Sequence, residues 1–354
     1  MKVINKKISI VIPTPKQPRF HKRIAEYSNR NHISLFYFNR MNYNSLNTVP
    51  NVNKSFNLGF VKSGGSYFKR IPQLFNLFKL LRAYESDIVY AFGLDLLLVS
   101  VLSKRKSTNI WFELGDVREV KNKYLDILFT YFYTIVVFKN VDLISVTSVG
   151  FKDYLQKKYH VHPKKIIVKE NLLLKNDVME NDVLDKQLIK PFVVGILGYL
   201  RYSTIISFLE EYLKRNNNNF IIHIYGQGEL LEDIKKLILN TNIKYFGEFK
   251  YPEGLIDIYK DIHFSYVLYD NQDLNVRLAL PNKLYESIFF KTPILVSNNT
   301  FLCHKVKNEF NIGKCFDPDN QHELIDYLNN ISLLKDYNLF IKNIEKIEKT
   351  HYLK

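Results

Sequence analysis

Short runs rich in β-branched and aromatic residues alternate with helix-like segments along the whole chain, and this alternation constrains the fold more than any other feature. In the first half the candidate strands are Ile8–Ile12, Ile33–Phe38, Asp87–Phe92, Asn109–Glu113, Leu143–Thr147 and Ile166–Val168. A second series follows the polar stretch Lys175–Lys190: Phe192–Leu197, Phe220–Tyr225, Ile243–Phe246, His263–Leu268, Pro293–Ser297 and Gly313–Phe316. Strand, helix and strand in succession read as a parallel sheet covered by helices. Two such series predict an α/β chain of two Rossmann-like domains with parallel sheets. The expected division is 1–174, a linker over 175–190, a second domain over 191–334, and a helix over 335–354 packing back on the first domain. At 354 residues each domain is large enough for its own core.

Charge separates the halves. Residues 1–180 carry 29 Lys and Arg against 13 Asp and Glu, while residues 181–354 carry 21 against 22. The asymmetry points to an anionic partner for the first half, either nucleic acid or an acidic membrane surface. No nucleic-acid module is recognisable, so the membrane surface is the expected partner and nucleic acid is not. The apolar run at the start stops at Pro13 without a small-residue cleavage site, so the expected location is cytoplasmic, peripheral on the inner face of the cell membrane. Cys303 and Cys315 cannot build a disulfide framework and fit a reducing compartment.

Two greasy segments have alternative readings. Ser66–Tyr84 repeats apolar residues at helical spacing past Pro72 amid Lys69, Arg70, Lys79 and Arg82, which suits a helix on anionic lipid or one packed on the first sheet. Tyr124–Phe138 is too short and too interrupted by Asp126 to span a bilayer. Core packing is the expected reading of both.

Ligands of open parallel sheets bind beyond the carboxyl ends of the strands. No Gly-x-Gly-x-x-Gly follows the first strand and no Walker A sequence is present, which argues against a nicotinamide enzyme or a P-loop triphosphatase. The second half is richer. Gly198 permits close backbone approach and Arg201 offers a planar fork for a diphosphate. Tyr225-Gly226-Gln227-Gly228-Glu229 forms a turn into a helix, and Pro281 suits the first turn of a helix carrying Lys283 and Glu286. A helix start with a lysine favours phosphate, and a glutamate one turn on can accept two hydrogen bonds from a ribose diol. Three strand ends of one sheet therefore read as a nucleoside-diphosphate site.

With Phe246-Gly247-Glu248-Phe249, Lys283-Leu284-Tyr285-Glu286, Thr292–Val296, Ile312-Gly313 and Asp317-Pro318 in this order, the second half resembles the retaining nucleotide-sugar glycosyltransferases of family 4. Ser86–Gly93, Val141–Ser148 and Lys165–Asn171 extend the resemblance over about two thirds of the chain. It implies the GT-B fold, two Rossmann-like domains facing across a cleft. It implies that Glu286 binds the ribose, that Arg201, Gly198 and Lys283 contact the diphosphate, and that Gly247 and Glu248 hold the base near Tyr225 and Gly226. The family's first glutamate falls at Leu278, so the donor sugar is expected to meet Asn275, Arg277, Asn282 or Asp273 instead. The usual lysine shortly after Arg201 is replaced by Ser203 and Thr204.

The expected activity is transfer of a sugar from a nucleoside-diphosphate donor to a glycan or lipid-linked acceptor in surface polysaccharide synthesis, with retention. An inverting enzyme would need a carboxylate in the first domain, for which Glu113 and Asp116 are the catalytic candidates and Asp95 a weaker one. Their alternative is a cap or a pair with Arg118. No metal site is suggested by the spacing of the histidines, so no cofactor or metal is expected. The rival readings are a nucleotide-sugar epimerase and a non-catalytic binding protein on the same fold.

Overall fold

The computed structural model describes residues 3–15, 17–39, 52–61, 70–117, 119–120, 122–178, 186–215, 219–239 and 241–354. Ser66–Lys69 of the first greasy segment, Arg118 and residues 179–185 of the expected linker lie outside them. The chain divides into two units, Met1–Glu170 and Asn171–Lys354.

The first unit contains β1 (Lys7–Ile12), α1 (Pro18–Ser28), β2 (His32–Asn39), β3 (Lys54–Phe60), α2 (Ile71–Ala83), β4 (Ile88–Phe92), α3 (Leu94–Leu102), β5 (Asn109–Leu114), α4 (Lys123–Phe132), β6 (Leu143–Val146), α5 (Val149–Tyr159) and β7 (Ile166–Val168). The strands form one sheet in the order β3-β2-β1-β4-β5-β6-β7. Every neighbouring pair is parallel, with Ile8 opposite both Ile33 and Ile88. All five residues of β4 are buried, as expected of a central strand covered on both faces. β3 was not expected from the sequence. It is the edge strand, only Leu58 in it is buried, and Gly59 interrupts its alternation, so its apolar period is weak.

The second unit contains β8 (Phe192–Tyr199), α6 (Ser203–Lys214), β9 (Phe220–Gln227), α7 (Leu231–Leu237), β10 (Lys244–Tyr245), α8 (Leu255–Tyr259), β11 (Phe264–Val267), α9 (Leu274–Leu278), α10 (Asn282–Phe289), β12 (Ile294–Ser297), α11 (Phe301–Cys303), β13 (Gly313–Phe316), α12 (Gln321–Asn329) and α13 (Leu333–Ile344). Its parallel sheet runs β10-β9-β8-β11-β12-β13. Apolar clusters cover the sheet on both faces, one around Phe208, Phe264 and Tyr337, the other around Leu255, Leu284 and Ile288.

Two expectations are corrected here. The boundary falls at 170, because Leu173 pairs with Leu353 and its N–H donates to the Tyr352 carbonyl at 2.9 Å. The segment after 334, expected to return to the first domain, packs in the second: Tyr337 meets Phe264 edge-on at 5.4 Å and Ile344 joins the core of the other face. The reading of the two cysteines as reduced is corrected as well: Cys303 and Cys315 are joined as a disulfide, their Cα atoms 5.7 Å apart, because the π-helical stretch His304–Glu309 after α11 brings the chain back to β13.

Candidate functional site

In the second sheet the direction of the crossovers reverses between β8 and β11, and this switch point is where an open sheet leaves a crevice for a ligand. Gly198, the next-to-last residue of β8, has a φ of 102°, in the left-handed region that glycine adopts at least cost. A Cβ there would sit 2.9 Å from the Lys283 Nζ, so the lysine from the first turn of α10 reaches over this backbone. Gly226, with φ 129°, is the next-to-last residue of β9 and lies against the same turn, and a Cβ on it would run into the Gly198 carbonyl oxygen. The glycines thus allow two strand ends to close on each other beneath a cation.

Around Lys283 the polar groups form one continuous run. Desolvation works against its charge, but the Tyr269 hydroxyl and the Glu286 carboxylate outweigh it and raise its pKa above the ordinary 10.5. Tyr269 follows β11 and is clamped by Ser297 at the end of β12: its N–H donates to the Ser297 Oγ at 2.7 Å, and that hydroxyl donates to the Tyr269 carbonyl at 2.5 Å. The Tyr269 ring stacks on Tyr202 at 4.4 Å, and Arg201 donates to the Tyr202 hydroxyl at 2.6 Å. Glu286 is buried one turn along α10, its Oε2 accepting from the Tyr259 hydroxyl at 3.2 Å. Burial, and then the nearby Glu286 carboxylate, push the Tyr259 and Tyr251 phenols well above their ordinary value. At the helix start the Asn282 Oδ1 is buried without a hydrogen-bond partner.

The structure therefore draws Gly198, Arg201, Lys283, Asn282 and Glu286 to one edge of the sheet, with Gly226 supporting the turn. The other candidates are placed differently. Tyr225 is buried, its ring stacked on Phe246 at 4.7 Å. The Gly247 carbonyl accepts the Gly226 N–H at 2.7 Å, and Glu248 on the next residue is exposed. Asn275 and Arg277 lie on α9, where Asp273 caps the helix by accepting the Asn275 N–H at 2.8 Å and Arg277 is exposed. Tyr202, Tyr259, Tyr269 and Ser297 were not singled out from the sequence. Tyr269 and Ser297 stand at or just beyond strand ends, which is the one signal that could have found them.

In the first unit the two catalytic candidates, Glu113 and Asp116, are both engaged in ion pairs. Alternation along β5 sends Trp111 and Glu113 to the side covered by α1, where Arg23 Nε donates to the carboxylate at 2.7 Å and the Tyr90 hydroxyl at 2.5 Å. Both charged side chains are almost completely buried. Burial opposes the Arg23 charge, yet the Glu113 carboxylate holds its pKa above the ordinary value. Glu113, the next-to-last residue of β5, is thus held in an interior ion pair. Asp116 is exposed and pairs with Arg19 at 3.2 Å. Asp95 accepts from Arg70 at 3.4 Å.

The family model for Glycosyl transferases group 1 matches residues 184–347, the segment that holds this cluster. The match lies within the second unit and covers 164 of the 354 residues. Over 100 residues it is 29% identical to the succinoglycan biosynthesis protein ExoL of Rhizobium meliloti (strain 1021), covering 27% of this chain and a quarter of that protein. Among solved structures it is similar to Anabaena HepE in complex with UDP-glucose, with a TM-score of 0.72 at 12% identity over 98% of this chain and 96% of that one. A glycosyltransferase from Rickettsia africae gives 0.66 at 15% identity over 96% and 93%. WaaG, a glycosyltransferase involved in lipopolysaccharide biosynthesis, gives 0.64 at 12% over 95% and 94%. At these identities the likeness is one of fold, and the fold of this chain is that of the GT-B glycosyltransferases.

Proposed function

We propose that this chain transfers a sugar from a nucleoside-diphosphate donor to a glycan or lipid-linked acceptor in surface polysaccharide synthesis, with retention of configuration. The observation that carries the reading is the convergence of the Gly198 turn, the Lys283 ammonium and the Glu286 carboxylate at the switch point of the second sheet. Lys283, Arg201 and the free N–H groups at the start of α10 would stabilise the diphosphate as the anomeric C–O bond breaks. Glu286 would accept from the ribose diol, and the base would lie towards Gly247 and Glu248. Asn275, Arg277 and Asn282 are the groups available to the sugar hydroxyls. In a front-face reaction the acceptor oxygen bonds to the anomeric carbon on the side the diphosphate leaves, and its proton passes to that diphosphate. Such a reaction needs no carboxylate base, which suits the engagement of Glu113 with Arg23.

The basic first unit is the expected seat of an anionic acceptor, at an anionic membrane surface on the cytoplasmic side. Because HepE has been captured with UDP and with UDP-glucose, UDP and UDP-sugars are the first probes. The test incubates the full chain with a panel of nucleotide sugars and a lipid-linked oligosaccharide extract, with product masses and anomeric configuration read by mass spectrometry and NMR. One donor is expected to give a product heavier by one sugar, with activity surviving EDTA. No transfer from any donor, together with no stabilisation by any nucleoside diphosphate, would remove the reading.

A further inference from the structure

α4 forms for a clear local reason and then buries nothing. The Asn122 Oδ1 caps it by accepting the N–H groups of Tyr124 and Leu125 at 3.0 and 3.1 Å, yet no residue from Lys123 to Phe132 is buried. At 3.6 residues per turn, Tyr124, Leu128 and Tyr131 fall within about 60° of one another, flanked by Ile127 and Leu125. Tyr124 is 83% exposed, Leu128 64% and Tyr131 66%. The single carboxylate of the helix, Asp126, lies on the opposite side, where Lys158 of α5 reaches it at 2.7 Å. Tyr133, on that same inner side, is buried. The helix is amphipathic in the inverted sense, with its charge turned inward and neutralised and its apolar stripe turned out. This overturns the expectation of core packing for the Tyr124–Phe132 part of the greasy segment, whereas Tyr133, Val137 and Phe138 are buried as expected.

The surroundings of the stripe are cationic. The first unit holds 28 Lys and Arg against 11 Asp and Glu, a net charge of +17. The crossovers β3-α2-β4, β4-α3-β5 and β5-α4-β6 all advance in one direction along the sheet, so right-handed connections put α2, α3 and α4 on the same face. On α2, Phe75 is exposed beneath the Lys79 ammonium at 4.6 Å, and Arg82 lies 5.9 Å from the Phe78 ring. Exposed apolar side chains rimmed by lysine and arginine match an interface with an apolar interior and an anionic surface. A second copy of the chain would bring two units of +17 together, whereas anionic lipid neutralises them. Among the described residues no helix is long and apolar enough to cross a membrane, so the helix would lie along the surface.

We propose that the outward stripe of α4 docks the first unit on an anionic lipid bilayer, with Leu128 and Ile127 entering the acyl boundary and the Tyr124 and Tyr131 hydroxyls at the headgroups. This deepens the reading of a lipid-linked acceptor, but it is tested without donor or acceptor, so its failure leaves the transferase reading intact. The full chain is floated with vesicles of phosphatidylcholine containing about 30% phosphatidylglycerol at about 0.1 M salt. Wild type is expected to co-float, to bind pure phosphatidylcholine at least about tenfold less, and to lose about tenfold or more in the Leu128→Asp/Tyr131→Asp double variant with its melting curve unchanged. In an Ile127→Trp variant, emission is expected to shift to the blue on these vesicles and to be quenched by brominated acyl chains, while Trp111, 4% exposed, gives a constant background. Absence of flotation by wild type, or equal flotation by the double variant, overturns the proposal. So does concentration-dependent dimerisation that the double variant abolishes in a protein that binds no vesicle.

Discussion

Each unit buries one glutamate close to the carboxyl edge of its sheet, and the two are used in opposite ways. Glu113 is sealed under α1 between Arg23 and Tyr90, its charge matched by a guanidinium that is itself buried. Glu286 is buried to a similar degree and accepts from the neutral Tyr259 hydroxyl, while Lys283, three residues earlier on α10, reaches to the Gly198 turn. Burial alone therefore does not distinguish a structural carboxylate from one at a ligand site. What distinguishes them is whether the neighbouring cation is consumed by the carboxylate or directed at open backbone.

The sharpest way to break the contrast is through stability. Glu113→Ala strands the buried Arg23 charge and should cost about 3–5 kcal/mol in urea unfolding, while Arg23→Met/Glu113→Leu together should recover most of it. A loss below about 1 kcal/mol for the single variant would mean that the pair is open to water. Next, Gly226→Ala should cost on the order of 2–3 kcal/mol and also weaken nucleotide binding, because its Cβ displaces the Gly198 turn under Lys283. Unchanged stability and binding there would dissociate the glycine turns from the site.

Lys283→Met should weaken binding of a nucleoside diphosphate by about tenfold to a hundredfold, the value of one charge-assisted contact. The pH dependence sharpens this. The Lys283 pKa is raised in the folded chain, so its charge, and any stability it contributes, are fully present below the ordinary 10.5 and lost only as pH climbs through the higher folded value. Calorimetric affinity for UDP should therefore stay within about twofold from pH 7 to 9.5 on account of this group. A tenfold fall below pH 9 would show the lysine depressed instead. Smallest of all, Arg277→Ala should change stability by less than about 0.5 kcal/mol, as expected of an exposed side chain, and weaken a UDP-sugar more than it weakens UDP.

Both sheets were largely legible in the sequence because their central strands are continuous apolar runs, as in Ile88–Phe92 and Ile294–Ser297. The edge strand Lys54–Phe60 was not, since a strand with one buried residue carries no clear period. The approach of Lys283 to Gly198 was within reach, because glycine after a strand and lysine after a helix-starting proline each have a local physical meaning. The role of Glu113 was not, because nothing in Trp111-Phe112-Glu113 shows that Arg23, ninety residues earlier, lies under the strand. The exposure of α4 was hidden for a related reason. Tyr124–Phe138 has the composition of a buried helix, and only the placement of Asp126 against Lys158 shows which side faces inward.

The central claim is that the cation above the Gly198 turn and the carboxylate one turn along α10 belong to a single nucleoside-diphosphate site. Titration calorimetry of UDP into wild type, Lys283→Met, Glu286→Ala and the double variant tests it most directly. The account predicts that each single change weakens binding at least about tenfold and that the double variant loses less than the sum, as expected of groups engaging one ligand. Binding of UDP at wild-type affinity by both single variants would contradict it.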